Sequence, residues 1–290
     1  MGLLGQNIFS GLMVGCVYSI VALGFVLIYK ACRIFNFSQS AFMLLGAYLA
    51  WFFNATLGLP IWLSLLLTIA IGIPLSFGLE RFPMRSMIGQ SEHSIVLMTL
   101  ALMAILMKVV TLFWGGRVKT YRTELTVTTI NVIGMRVSLS LVISCLFALL
   151  VFFGLTLFFQ RSRIGLLMRA VAEDQVLAQS TGINVNRIIA YSWAIACVVA
   201  MCAGVQMGSI GSVTLYIQDV GFLAIIVAIF GGLESISGAF IAGIVLGVVE
   251  VLVRAYVGHG LFTVIPYIIL LLILIFKPYG LFGLEKIERI

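Results

Sequence analysis

The residues that could do chemistry in this 290-residue chain are few, and they form no catalytic set. His93 and His259 have no nucleophile or metal partner at motif spacing, and the two aspartates, Asp174 and Asp219, are far apart. Cys16, Cys32, Cys145, Cys197 and Cys202 lie in or beside apolar runs without C-x-x-C spacing. They read as small hydrophobes rather than as a disulfide framework or a zinc site. No lysine stands in the Gly-Lys-Ser/Thr arrangement of a phosphate-binding loop, so any ATP used must be bound by another chain. Lys108 is the ionisable residue well inside a long run, near enough to one end for its amine to snorkel to the interface. Glu80, Glu234 and Glu250, near run edges, are the candidates for the buried acidic relay that proton-coupled carriers use.

The elements that must position these residues are set by the solvent. Hydrophobic residues make up 62% of the chain and charged residues 9%, against about 25% charged in an ordinary soluble domain. Mean hydropathy is +1.22. Such a chain cannot cover itself with polar groups in water, whereas lipid tails solvate apolar faces. The expected fold is therefore an all-α integral membrane protein in one domain, residues 1–290. It reads as a polytopic helical bundle of about eight or nine hydrophobic segments, some short or re-entrant.

Runs close to bilayer length are Ile8 to Tyr29, Ile61 to Leu79, Ile95 to Trp114, Leu139 to Phe159 and Ile188 to Met207, with Leu261 to Phe276 slightly short. Ala41 to Phe53, Val220 to Phe230 and Ala239 to Val253 are shorter than a span requires. No Lys or Arg precedes Lys30, so the first run lacks the charged region of a secretory signal and is expected to remain in the mature protein. If every run crosses, eleven of the seventeen Lys and Arg fall on one side and five on the other, with Lys108 inside a run. The richer side is assigned to the cytoplasm and the loop Gly115 to Ser138 to the outside. The net charge of +7 thus reflects orientation rather than a nucleic-acid surface.

Two interrupted segments resemble each other. Asn36-Phe37-Ser38-Gln39-Ser40 leads into Ala41-Phe42, and Glu234-Ser235-Ile236-Ser237-Gly238 leads into Ala239-Phe240. Paired interruptions point to a transport pathway, which makes Asn36, Ser38, Gln39, Glu234 and Ser235 candidates to line it. Gly11 with Gly15, and Gly243 with Gly247, read as close helix packing, with a flexible gate as the alternative.

The most distinctive polar segment is Arg161 to Arg187. Leu166 to Thr181 lacks Pro and Gly and holds good helix formers, which predicts one continuous short helix. Gly165 precedes it, Gly182 is placed for a left-handed C-cap, and Arg169 and Glu173 are spaced to pair. Asn184 or Asn186 can cap the following span. Such a helix suits docking into a groove on a soluble partner, or serves as a plain connector.

Arg163-Ile164-Gly165-Leu166-Leu167-Met168-Arg169-Ala170-Val171-Ala172-Glu173-Asp174, with Ala178 and Gly182-Ile183, strongly resembles the cytoplasmic loop of branched-chain amino acid ABC transporter permeases. Tyr18 to Phe25, Asn36-Phe37-Ser38 with Leu45 to Tyr48, Gly231 to Ala239 and Pro278 to Gly283 resemble further stretches of that family in the same order. The match is closest to the first of its two paired permeases. The resemblance implies an importer of the bacterial inner membrane with a second homologous permease, two cytoplasmic ATPases that bind ATP and Mg, and a periplasmic substrate-binding protein. It makes the cytoplasmic helix a coupling helix, with Gly165, Arg169, Ala170, Glu173 and Gly182 as coupling residues. The family's usual His-Gly-Glu after Asn-Phe-Ala is Gln39-Ser40-Ala41 here, which leaves urea, short amides, aromatic acids and sugars as alternative solutes. A passive channel or an ion-coupled carrier is the reading from another class.

Overall fold

The computed structural model describes residues 3–87, 90–122, 128–132, 135–257, 264–277 and 280–283. His259, Pro278, Tyr279, Ile290 and part of the Gly115 to Ser138 loop lie outside them. Each of the nine apolar runs forms a helix: α1 Leu3–Cys32, α2 Gln39–Trp51, α3 Ile61–Leu79, α4 Glu92–Trp114, α5 Leu139–Arg161, α8 Val185–Ile210, α9 Ile217–Gly231, α10 Ile236–Tyr256 and α11 Ile265–Phe276. Between α5 and α8 lie two short polar helices, α6 Arg163–Glu173 and α7 Gln175–Ser180. A two-stranded antiparallel hairpin, β1 Thr129–Val132 and β2 Met135–Ser138, leads into α5.

Among the described residues, six helices are long and apolar enough to cross a membrane, α10 among them at 21 residues. The short run Ala239 to Val253 therefore understates its helix, because Ile236 to Gly238 and Arg254 to Tyr256 extend it. α2, at 13 residues, gains a π-helical turn over Phe52–Thr56.

α1 and α8 form the buried centre of the bundle, while α3, α4 and α5 expose most of their surface. α1 and α10 pack antiparallel at backbone contact. A β-carbon on Gly15 would meet Ile244 Cα at 2.6 Å and Gly243 O at 2.7 Å, so only glycine lets these two helices approach this far. Ser19 Oγ donates across the same seam to Phe240 O at 2.9 Å. The packing reading of the two glycine pairs is the one the fold adopts, as expected where small residues replace the hydrophobic effect between helices in lipid.

Two breaks shape the interior. After α1 the chain turns at Arg33, which has φ 59, and α2 starts inside the bundle. Gln39 Nε2 donates to Ala196 O at 2.8 Å, and Ala196 lies about 16 Å along α8 from Val185. After α8 the segment Gly211 to Tyr216 makes the corresponding break, and α9 also starts inside, with Gly221 pressed against Ser40 of α2. Ser38 and Tyr216, the residues before α2 and α9, share αR geometry without a side-chain cap bond. The structural counterpart of the first break is thus Gly211 to Tyr216, not the Gly231 to Gly238 segment expected from sequence. That segment is a tight turn with Gly232 at φ 99, where Ser235 Oγ caps α10 by accepting from Gly238 N at 3.0 Å.

Candidate functional site

One end of the bundle holds Lys30, Arg33, Arg85 and Arg169. There a cavity of 290 Å³ is lined by Cys32 and Arg33 after α1, Glu80 and Met84 after α3, Ile95 of α4, Gln175 of α7 and Ile189 of α8. α6 lies across this end. Its first turn is capped by Ser162 Oγ, which accepts from Gly165 N at 2.9 Å. Gly165 is inside the helix rather than before it, because the cap moves the start to Arg163. A β-carbon there would sit 2.6 Å from Phe158 O, so Gly165 brings α6 onto the end of α5.

Arg169 does not pair with Glu173. Its guanidinium donates to Phe159 O at the end of α5, where the last carbonyls of a helix lack partners and carry partial negative charge. Glu173 is exposed and lines a cavity of 430 Å³ with Tyr29, Arg33, Phe35, Val96 and Ala172. Ala170 is half-buried, and its carbonyl accepts from Asp174 N at 3.3 Å.

The single helix expected over Leu166 to Thr181 is two helices. Asp174 takes extended backbone, φ −152 and ψ 111, and its carboxylate accepts from Val176 N at 2.8 Å and Leu177 N at 2.9 Å. A short acidic side chain that satisfies backbone N–H groups in this way favours a new helix start over continuation. Gly182, with φ 87, terminates α7 as anticipated, and Asn184 Oδ1 caps α8 by accepting from Arg187 N at 3.1 Å. Val176 and Leu177 of α7 are 79% and 63% exposed and Leu166 of α6 is 58% exposed, which leaves apolar side chains uncovered on both helices.

Arg33 ties three parts of this end together. Its guanidinium pairs with the Glu234 carboxylate, and its Nε donates to Ala172 O of α6 at 3.4 Å. Desolvation works against the charge, but the Glu234 carboxylate and the Tyr29 hydroxyl outweigh it and raise the Arg33 pKa. The α1–α2 break, the α9–α10 turn and α6 therefore share one polar joint. Glu234 was singled out in the sequence; Arg33 was not. Its signal would have been a basic residue immediately before the interrupted segment.

Asn36, Ser38 and Gln39 are wholly buried. Asn36 Oδ1 accepts from Ser38 N at 3.1 Å and from Ser38 Oγ at 2.6 Å, which holds the break in shape. Asn36 Nδ2, Gln39 Oε1 and Gln218 Oε1 have no protein partner among the described residues. None of these four residues lines the cavities above. Lys108 lies on the exposed face of α4, in keeping with an amine that reaches the interface.

A helical bundle with interior helix breaks and six long apolar helices among the described residues is the architecture of a multi-pass membrane protein. The family model for the permease component of branched-chain amino acid transport systems matches residues 7–274, and the chain belongs to that family. It is 30% identical over 305 residues to the high-affinity branched-chain amino acid transport system permease protein BraD of Pseudomonas aeruginosa, across 98% of this chain and 97% of that one. It is 27% identical over 299 residues to LivH of Salmonella typhimurium, named as the same kind of permease, across 98% and 97% of the two chains. The probable permease LivH of Methanocaldococcus jannaschii is 27% identical over 305 residues, across 99% and 94%.

Proposed function

We propose that this chain is the permease subunit of an ATP-binding-cassette importer that carries a branched-chain or related amino acid across the bacterial inner membrane. Its complex would hold a second homologous permease, two cytoplasmic ATPases that bind ATP and Mg, and a periplasmic binding protein. The observation that carries this reading is α6. It is bound to α5 through Gly165 and Arg169 and to Arg33, just after α1, through Ala172, while with α7 it offers Leu166, Val176 and Leu177 to a partner. A helix fixed on the membrane side and apolar on the other transmits force. The near full-length similarity to BraD and LivH supports an amino acid as solute over urea, amides, aromatic acids or sugars. Asn36, Ser38, Gln39, Glu234 and Ser235 border the path, opening to solute as α2 and α10 move.

Loop charge places the basic end in the cytoplasm. In a cysteine-free background, Gln179→Cys should resist an impermeant thiol reagent in intact cells while Arg117→Cys reacts; the reverse pattern would invert the topology. Both side chains are exposed, so access depends on sidedness.

The functional test is leucine uptake beside ATP hydrolysis in vesicles holding the whole importer. Arg169→Glu puts a carboxylate against the negative end of α5, and uptake per ATP should fall about fivefold or more. Arg169→Lys, which keeps the charge, should recover much of it. Uptake without ATP, or uptake abolished by collapsing ion gradients alone, would refute the importer reading in favour of a channel or carrier. Normal coupling in Arg169→Glu would make α6 a connector.

A further inference from the structure

A charged cavity that the coupling end does not use lies in the other half of the bundle. A cavity of 480 Å³ opens between α1, α9 and α10, next to the Gly211 to Tyr216 break. Its volume falls in the range of small-molecule sites, about 300–1,000 Å³. Most of its wall is apolar, with Val14 and Val17 from α1, Met207 from α8, Val220 and Leu223 from α9, and Val251 from α10. Three charged groups face it: Glu250, Arg254 and Asp219.

Charges at this depth need a reason. Glu250 is 5% exposed, about 9 Å along α10 from Tyr256, and ionisable groups inside spans are costly unless they serve a partner or a solute. Arg254 Nη2 donates to Glu250 Oε1 at 2.8 Å, yet its side chain stays 47% exposed. A guanidinium offers five N–H donors in a planar fork, which suits a second carboxylate. Asp219 is exposed on α9, and among the described residues no ion pair includes it. The cavity therefore brings the Asp219 carboxylate of α9 and the Arg254 guanidinium of α10 into one largely apolar lining.

We infer that this cavity binds a zwitterionic α-amino acid with an apolar side chain, its ammonium on Asp219, its carboxylate on Arg254 and its side chain against Val17, Val220 and Leu223. This rests on the importer reading and supplies its solute site. Glu250 positions Arg254 from below, and Tyr18 closes the inner wall beside Glu250. The site sits where α9 starts, so movement of that interrupted helix would change both its apolar wall and the position of Asp219.

The test is direct binding of radiolabelled leucine to the assembled permease–ATPase complex in nanodiscs, with the binding protein left out. Saturable binding is expected. Asp219→Asn and Arg254→Gln should each weaken it at least about tenfold, which is about 1.4 kcal/mol. Leu223→Trp, which fills the cavity without touching a charge, should do the same. Melting curves of each variant establish that it is folded, and 3-methylbutylamine and 4-methylpentanoate, with one charge each, should compete at least about tenfold less well than leucine. Absence of wild-type binding, wild-type affinity in all three folded variants, or equal competition by the single-charge analogues would overturn the site. Leucine uptake by the whole importer separates the two failures. If uptake is intact while the site fails, the importer reading stands; if no apolar amino acid is taken up, that reading falls first.

Discussion

Gly15→Val should split the seam between α1 and α10, costing about 3 kcal/mol of stability. The β-carbon alone would lie 2.6 Å from Ile244 Cα and 2.7 Å from Gly243 O. Both obstacles are backbone on α10, so no side chain can swing aside. Relief requires α1 and α10 to separate, which strains the Ser19 to Phe240 hydrogen bond and weakens packing along the whole seam. In lipid that packing is itself the source of helix association, because tails are as apolar as the faces they would replace. The measurement is thermal stability of the detergent-solubilised chain, followed by the monodisperse fraction after heating. Gly154→Ala is the control: a β-carbon there meets nothing within 4 Å, and alanine is the better helix former. A melting temperature for Gly15→Val equal to that of Gly154→Ala would refute the seam as the principal contact.

Glu234→Gln should leave the fold intact and cut uptake per ATP hydrolysed by about tenfold. The Arg33–Glu234 pair is partly exposed, with the two side chains 36% and 21% accessible, and such pairs contribute about 1 kcal/mol or less to stability. Unfolding is thus excluded as the cause of a large effect. What the pair does is join the break after α1 to the turn before α10, while the same arginine reaches Ala172 of α6. On the importer reading, motion of α6 should reach both segments only while Arg33 holds Glu234, since coupling depends on contacts that differ between states. Arg33 also adopts φ 59, a conformation costly for a non-glycine residue. The double variant Arg33→Glu with Glu234→Arg should restore part of the coupling if charge pairing carries it. Full uptake per ATP in Glu234→Gln, with normal amounts of assembled complex, would leave the joint without a transmitting role.

The break between α6 and α7 illustrates what sequence reading passes over. Leu166 to Thr181 contains no helix breaker by propensity, and its sum of preferences favours one helix. Asp174 ends it because a carboxylate can satisfy two N–H groups of the next turn, a local competition that propensity sums do not weigh. Arg169 likewise had a partner at helical spacing in Glu173, but the carbonyl of Phe159, ten residues earlier in the chain, was closer once α6 folded back on α5. The cavity between α1, α9 and α10 was harder still to see. Glu250 and Arg254 are visible as a pair one turn apart in an apolar run, but Asp219 joins them only because α9 begins inside the bundle.

The sequence alone determined that the chain lives in a membrane, where the hydrophobic helices among the described residues begin and end to within about five residues, which loops carry the orienting charge and where a polar segment interrupts the pattern. Each of these depends on local composition, and water and lipid sort residues by composition. Tertiary structure decided which helices are central and which face lipid. α1 and α8 are buried while α3, α4 and α5 are not, although all five are similarly apolar. The reason is physical: protein interior and lipid tails are nearly equivalent solvents for Leu, Ile and Phe, so hydrophobicity cannot tell them apart. The distinction lies in backbone approach at small residues and in hydrogen bonds between helices, such as Gly15 against Ile244 and Ser19 to Phe240. Those depend on which residues meet, and only the folded chain specifies that.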